Sequence, residues 1–328
     1  IKAGKFQGPR LIASGCGITV PEGHARLFAK KATTPEEGRA LVHEHFSQGA
    51  DQIKLFITGG VFDAEVEGEP GVLRMPLDIA QAVCDEAHKL GLRTSAHIES
   101  TEGVEVGLKA GVDTIEHGAP LTDDLLKLFK KNGLGNASSL TCTLSPALPF
   151  AVLSPEKTHS THVQKVNGRV VYEGVATATR QALANGIPVG LGTDSACPFV
   201  THYDMWREVV YFQRHTGVTP EFALHTATLK NAQLLGVAEE TGSIEPGKSA
   251  DLIVLDANPL DDLCALREVE QVYMAGKPVK YKAKHLPKVD AELDSIMNGL
   301  DNDPFVSEWN VAGEKKSLNP FAKRAAKE

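Results

Sequence analysis

The stretch ADQIKLFITGGV, residues 50–61, indicates the fold and raises the first functional question. Its middle is rich in β-branched and aromatic residues and it ends at Gly59-Gly60, which is typical of a buried strand closed by a turn. Lys54 interrupts this strand. A bare ammonium is costly to remove from water, so Lys54 needs an anionic partner, a shifted pKa or a chemical change.

The same unit, a short apolar strand followed by a loop and an amphipathic helix, recurs along the chain. This alternation predicts a parallel sheet with helical crossovers. Polar residues late in the strands favour an α/β fold of the (β/α)8 TIM-like barrel type over a doubly wound sheet, because no glycine-rich phosphate motif follows the first strand. Predicted strands lie at residues 9–15, 51–58, 93–100, 112–118, 134–142 and 187–195. Predicted helices lie at residues 34–50, 76–91, 101–111, 122–133, 171–186, 204–215 and 219–236.

The character of the sequence changes after residue 240, where short strands alternate with proline and glycine turns. This pattern predicts part of a small β-sandwich domain. We therefore expect three parts: an incomplete hydrolase-type barrel at residues 1–240, the partial β domain at residues 241–283, and a charged C-terminal tail at residues 284–328. One helix is predicted in the tail, at residues 289–300.

Composition limits the classes of function. The 328 residues are 42% hydrophobic, enough for a large core, and the formal net charge of −8 argues against a nucleic-acid binder. No apolar run is long enough to span a bilayer, and IKAGKFQGPR at the start is not a signal peptide. Five scattered cysteines without a CxxC motif indicate reduced thiols and a cytoplasmic protein. The expected partner is a small-molecule substrate, not nucleic acid or membrane, and homo-oligomerisation is left open.

Four predicted strands end in a potential metal ligand: Lys54, His97, His117 and Asp194. Period-two alternation directs three of them away from the helix-facing row, but His117 shares its row with Ile115, so alternation leaves its direction open. Singly, each residue has an ordinary explanation, as a hydrogen-bonded histidine, a helix-capping aspartate or a paired lysine. Together, they would converge on one rim of the barrel, where metal-assisted hydrolysis is commonly built.

The chain resembles the amidohydrolase superfamily in five segments: IKLFITGG, SAHIES, DTIEHG, GLGTDS and GSIEPGKSADLIVLDANPL. The resemblance covers about residues 8 to 280 and is closest to the imidazolonepropionase-related, prolidase-like branch, with its Xaa-Pro and Xaa-Arg dipeptidases. It implies hydrolysis of a C–N bond in a small substrate such as a dipeptide or N-acyl amino acid. By the same resemblance, one or two divalent metals, with Zn²⁺ favoured, are the expected cofactor.

The resemblance also implies a role for each strand-end residue. Lys54 would be carboxylated by CO₂ and would bridge two metals in a binuclear site. His97 and His117 would bind one metal. Asp194 would bind the other and would act as the general base toward the metal-activated hydroxide.

The chain departs from the superfamily at its N-terminal end. The superfamily takes its first metal ligands from an HxH pair on the first barrel strand, and no such strand precedes Lys54. His43 and His45 form an HxH, but they lie in a predicted helix, where residues i and i+2 point about 200° apart. We therefore expect that only barrel strands 3 to 8 are visible, and that the sequence is the larger part of a longer polypeptide or a truncated gene product.

Three further residues are weaker candidates for substrate contact. His24 follows the first predicted strand. Glu99 lies two residues beyond His97, where relatives carry Tyr or His, and would suit a cationic substrate group. His162 lies in THSTH, on a predicted loop before the last barrel strand. For His24 and His162, an ordinary solvated position is the alternative.

Two alternatives to the binuclear dipeptidase stay open. One is a mononuclear, imidazolonepropionase-like hydrolase or deaminase that acts on a cyclic amide or imine. The other is an inactive fragment or pseudoenzyme, which the absent HxH strand supports.

Overall fold

The computed structural model describes residues 1, 3–6, 8–129, 138–280 and 283–311, with side chains described as far as residue 307. Its centre is a parallel sheet of seven strands, as the strand–helix alternation predicts, in the order β2-β1-β3-β4-β5-β6-β7. The strands are β1 Ile18–Thr19, β2 Lys30–Lys31, β3 Gln52–Phe56, β4 Arg93–Ile98, β5 Thr114–His117, β6 Ser139–Cys142 and β7 Val189–Leu191.

Helices connect and cover these strands. Helix α1 begins as its sequence predicts: the Thr34 hydroxyl accepts a hydrogen bond from the Glu37 amide, and Pro35 lies in the first turn. The helices are α1 Pro35–Ser47, α2 Leu77–Lys89, α3 Thr101–Ala110, α4 Asp123–Phe129, α5 Leu148–Val152, α6 Pro155–Thr158, α7 His162–Ala184, α8 Met205–Thr216, α9 Pro220–His225, α10 Asn231–Leu234, α11 Pro287–Gly299 and α12 Pro304–Val311.

The two faces of β3 differ in the way that the alternation predicts. Ile53 and Leu55 are fully buried in the core on the helix-covered face. Gln52 and Lys54 lie on the opposite face, where they border a cavity. The register pairs Phe56 with His97 and aligns the carboxyl end of each parallel strand with that of its neighbour. Residues that end consecutive strands are therefore brought to the same edge of the sheet.

The predicted strand at residues 9–15 is wrong. The described part of this segment has no strand, and Leu11 is 64% exposed. The segment is held by Ala13, whose carbonyl accepts from the Asp51 amide and whose amide donates to the Asp51 carboxylate. The sheet instead continues through β1 and β2, which are two residues long each and so give no periodic pattern in the sequence.

Several helix boundaries differ from the predicted ones. The helix predicted at 171–186 begins at His162, because Thr161 and Gln164 form a capping box. His162 therefore lies on the first turn of a helix rather than on a loop. The predicted helix at 219–236 is interrupted by a π-helical turn, Thr226–Lys230. Residues 130–137 lie outside the described residues. The end of the helix predicted at 122–133 and the start of the strand predicted at 134–142 fall among them.

The C-terminal part adds a three-stranded antiparallel sheet of β8 Leu252–Leu255, β9 Val269–Met274 and β10 Lys277–Pro278. The predicted tail helix is present as α11 and buries Leu293, Ile296 and Met297 in the core. The second tail helix, α12, was not predicted. The boundaries of the three proposed domains stay predictions. Among the described helices, none combines the length and the apolar character that crossing a membrane requires.

Candidate active site

Two histidines and a carboxylate meet at the carboxyl ends of β4 and β5. One potential ligand atom from each of His97, Glu99 and His117 lies within 4.8 Å of the others. The two histidine rings make an edge-on contact with their centroids 4.8 Å apart. Within the described parts of the chain, this is the group of three His, Cys, Asp or Glu side chains that is close enough to hold a metal ion.

His117 reaches this group through an unusual backbone conformation. Its φ angle is +69°, in the left-handed region that non-glycine residues seldom adopt. Alternation had left the direction of this side chain open, since it shares a row with Ile115. The positive φ breaks that alternation at the strand end. The Nδ1 atom of His117 then lies 2.6 Å from the Thr143 hydroxyl, a contact that fixes the ring.

His97 is held between a backbone carbonyl and a second histidine. Its Nε2 lies 3.1 Å from the Gly59 carbonyl, which can only accept, so Nε2 carries the proton in this arrangement and Nδ1 offers a lone pair. The His24 ring stacks on it with centroids 4.2 Å apart and planes 2° from parallel. His24 Nδ1 in turn lies 2.5 Å from the Asp63 carboxylate. A Cβ at Gly60 would come within 3.1 Å of both rings, so this glycine makes the stack possible.

Burial sets the charges in the group. It lowers the pKa of His117 to about 4 and that of His97 well below its ordinary value, so both imidazoles are neutral at pH 7. Burial also raises the pKa of Glu99 to about 8, although the Val61 amide that donates to its carboxylate opposes the shift. Neutral imidazoles offer their lone pairs to a metal without first releasing a proton.

Lys54 and Asp194 border a neighbouring cavity of about 520 Å³, together with Glu116 and His117. Burial lowers the pKa of the Lys54 amine, and the nearby Glu116 and Asp194 carboxylates oppose that shift. Asp194 has a φ angle of +54° and is exposed. Its Oδ2 accepts a hydrogen bond from the Cys197 thiol at 3.2 Å.

Most of the candidate site residues named from the sequence line a smaller cavity of about 50 Å³. Its lining includes His24, His97, Glu99, His117 and Asp194. His117 and Asp194 border the larger cavity as well, so Lys54 belongs to the same region.

Three other histidines lie apart from this region. The His162 side chain is 76% exposed and lies 3.4 Å from Glu67, and it borders neither cavity. Of the HxH pair on α1, His43 is exposed and contacts Glu86, whereas His45 is buried. The two therefore lie on different sides of the helix, as expected for residues i and i+2.

The donor set fits a divalent metal. Two imidazoles and one carboxylate are ligand types that zinc prefers, and both imidazoles are neutral. The Thr143 contact at His117 is the kind of outer-shell hydrogen bond that orients metal-binding histidines.

Two residues that support the site were not predicted. Thr143 lies two residues beyond Thr141 in the row of β6 that borders the larger cavity, and alternation could have indicated it. Asp63 follows the Gly59-Gly60 turn, and no periodic signal marks it. Glu99 was predicted only as a substrate contact, but it lies within the close group with His97.

A parallel α/β sheet with histidines and carboxylates gathered at the ends of its strands is the arrangement of barrel-type metal hydrolases. The family model described as "Amidohydrolase family" matches residues 2–279. The chain therefore belongs to the amidohydrolase family.

Solved structures agree with this membership. A Bifidobacterium longum protein, provisionally named a prolidase, is 43% identical with a TM-score of 0.84, and the match covers 90% of this chain and 72% of that one. A Xaa-Pro dipeptidase with bound methionine in its active site is 29% identical with a TM-score of 0.73, and the match covers 85% and 70% of the two chains. Ochratoxinase of Aspergillus niger is 25% identical over 309 residues, which cover 85% of this chain but only 62% of ochratoxinase.

Proposed function

We propose that this chain carries most of the catalytic centre of a metal-dependent amidohydrolase that cleaves the C–N bond of a dipeptide or an N-acyl amino acid. The observation that carries the proposal is the close group of His97, Glu99 and His117. Family membership and the dipeptidase among the similar structures support this reaction class. We also infer that the seven-stranded sheet is the larger part of a (β/α)8 barrel.

The proposal gives each side chain a role. His97 and His117 hold the metal through neutral imidazoles, with Glu99 as a third candidate ligand. A divalent metal bound there supplies Lewis acidity, which polarises the substrate carbonyl and lowers the pKa of a bound water. Asp194 accepts a proton from the attacking water and passes it to the leaving nitrogen, so that one C–N bond breaks and one C–O bond forms.

Lys54 distinguishes a binuclear from a mononuclear site. A lowered pKa leaves more of its amine unprotonated, and a neutral amine adds CO₂ to give a carbamate and one proton. In the binuclear version, the carbamate of Lys54 would serve as an anionic oxygen ligand, and we expect two zinc ions per chain and fewer in Lys54→Met. The mononuclear hydrolase or deaminase is favoured by one observation: Lys54 borders the larger cavity but not the small cavity that His97 and Glu99 line. One zinc per chain, unchanged in Lys54→Met, would select that version.

Hydrolysis of a dipeptide and N-acyl amino acid library by the zinc-loaded chain tests the proposed reaction. We expect Asp194→Asn to lower kcat by about 10²- to 10⁴-fold, because the amide cannot accept the proton. Cys197→Ser is the matched control, since the serine hydroxyl keeps a donor to Asp194. Zinc binding without hydrolysis of any library member would instead support the inactive-fragment alternative.

A further inference from the structure

A third cavity, of about 830 Å³, opens beside the candidate site. It is bordered by three loops, within residues 22–28, 62–74 and 196–198. His24, Phe62 and Cys197 line both this cavity and the small cavity that contains His97. The two spaces are therefore neighbours, and the volume of the third cavity is typical of small-molecule sites.

One wall of the third cavity is apolar and exposed. Leu27 is 93% exposed, Phe28 is 72% exposed and Phe62 is 42% exposed. Large apolar side chains seldom cluster at the surface without a binding role. This wall suits an apolar substrate side chain.

Arg74 supplies a positive charge on the same cavity. Its Nε atom is buried and has no hydrogen-bond partner, and the described residues place no carboxylate within ion-pair distance of its guanidinium. Leaving a buried donor unpaired is costly, and a guanidinium is the group best suited to take a carboxylate through two parallel hydrogen bonds.

The other charged side chains named here on the third cavity are exposed or already contact a partner. Arg26 is half exposed and lies 4.0 Å from Glu22. Asp63 accepts from the Gly60 amide and contacts His24. Glu65 is exposed. Among the described residues, Arg74 is thus a half-buried cation of this cavity with a shielded Nε atom and no carboxylate within ion-pair distance.

Backbone contacts fix Arg74 next to the strand that ends at the site. The amides of Arg74 and Met75 both donate to the Ile57 carbonyl, and Thr58 pairs with Leu73 in an isolated bridge. A Cβ at Gly71 would lie 2.3 Å from the backbone of Glu99, so this loop packs directly against the candidate site. The guanidinium is therefore held on a supported segment.

We propose that the third cavity is the specificity subsite and that Arg74 binds the free carboxylate of an apolar or aromatic amino-acid moiety of the substrate. The inference rests on the proposed function, and it narrows the proposed substrates to those whose carboxyl-terminal residue has an apolar or aromatic side chain. Arg74 is a specificity-determining residue and takes no part in the proton transfers.

The test compares N-acetyl-L-phenylalanine with N-acetyl-L-phenylalaninamide, which differ only in the carboxylate. Binding is measured by calorimetry on the chain without added metal, so that neither turnover nor a metal ion contributes. We expect the acid to bind at least about tenfold more tightly than the amide, and this difference to vanish in Arg74→Met, because a charge-assisted hydrogen bond is lost. Arg26→Met is the matched control and should keep the difference. Arg74→Lys should keep part of it.

The outcomes separate this inference from the proposed function. Equal binding of acid and amide by the unmodified chain, binding of neither, or an unchanged difference in Arg74→Met would overturn the inference. Acetate release from the acid by the zinc-loaded chain is then measured separately. A binding difference that depends on Arg74, without acetate release, would uphold the subsite and contradict the proposed hydrolysis of such substrates.

Discussion

Thr143 is the residue that fixes the orientation of His117, since its hydroxyl lies 2.6 Å from Nδ1 of that ring. Replacing Thr143 with Val keeps the shape of the side chain but removes the hydrogen bond. We expect Thr143→Val to weaken zinc binding by about 10- to 100-fold, as is usual when an outer-shell partner of a metal ligand is lost.

Competition with a chromophoric chelator measures that affinity. Thr143→Ser keeps the hydroxyl and is the matched control, which should bind zinc nearly as tightly as the unmodified chain. Equal zinc affinity in the Val and Ser variants would show that the hydroxyl does not position a metal ligand.

The site could be predicted from the sequence only in part, for reasons visible at single residues. The strand-end positions of Lys54 and His97 follow from alternation, because regular β backbone carries that information. The direction of His117 depends on a φ angle of +69°, which a non-glycine residue adopts only when the surrounding structure requires it. No local pattern in the sequence reveals such an angle.

At the scale of elements, Glu208 ties α8 to the loop that follows β6. Its carboxylate is fully buried and accepts hydrogen bonds from the amides of Leu144 and Ser145, both at 2.8 Å, and from the Ser145 hydroxyl. This loop begins at Thr143, so the anchor also supports the environment of His117. Burial raises the pKa of Glu208 to about 7, although these hydrogen bonds oppose the shift.

The raised pKa of Glu208 predicts a pH-dependent stability. Between about pH 4.5 and 7, the folded state holds this proton and the unfolded state has released it. The stability contributed by Glu208 therefore falls as the pH rises through that interval, by about 3 kcal/mol. Glu208→Gln cannot titrate. Urea denaturation of both proteins measures the effect. We expect the free energy of unfolding of the unmodified chain, relative to that of Glu208→Gln, to decline from about pH 4.5 to 7. Parallel pH profiles of the two proteins would contradict this.

The predicted helices and strands agree with the structure where the sequence pattern is long, and they disagree where it is short. Helices α1, α2 and α3 have apolar periodicity over ten or more residues, and α1 and α3 also have side-chain N-caps; all three lie close to their predicted positions. Strands β1 and β2 have two residues each, too few for any periodicity. The run at 9–15 has the composition of a strand but forms none, because strand formation requires a pairing partner that local composition does not reveal.

At the scale of the whole molecule, the C-terminal segment is joined to the α/β body by the Arg169 guanidinium. It donates to both carboxylate oxygens of Asp303, at 2.7 and 3.0 Å, and also to Glu173 on its own helix. The Asp303 side chain is only 11% exposed, whereas that of Glu173 is 41% exposed. The Asp303 contact therefore links two distant parts of the sequence in a shielded position.

We expect Asp303→Ala to lower the free energy of unfolding by about 2 kcal/mol, because it breaks a bidentate, partly buried pair. The matched control Glu173→Ala removes an exposed pair on one helix and should change stability by less than about 0.5 kcal/mol. Urea denaturation measures both. Similar losses in the two variants would mean that the C-terminal segment is not held by this pair.

The central claim is that His97, Glu99 and His117 together bind a divalent metal. Equilibrium zinc titration of the unmodified chain, of His117→Asn and of His43→Asn tests it most directly. We predict that the unmodified chain and His43→Asn, whose altered residue lies exposed on α1, bind zinc equally well. His117→Asn should bind at least about 100-fold more weakly. Equal zinc affinity in all three proteins, or no zinc binding by the unmodified chain, would contradict the account.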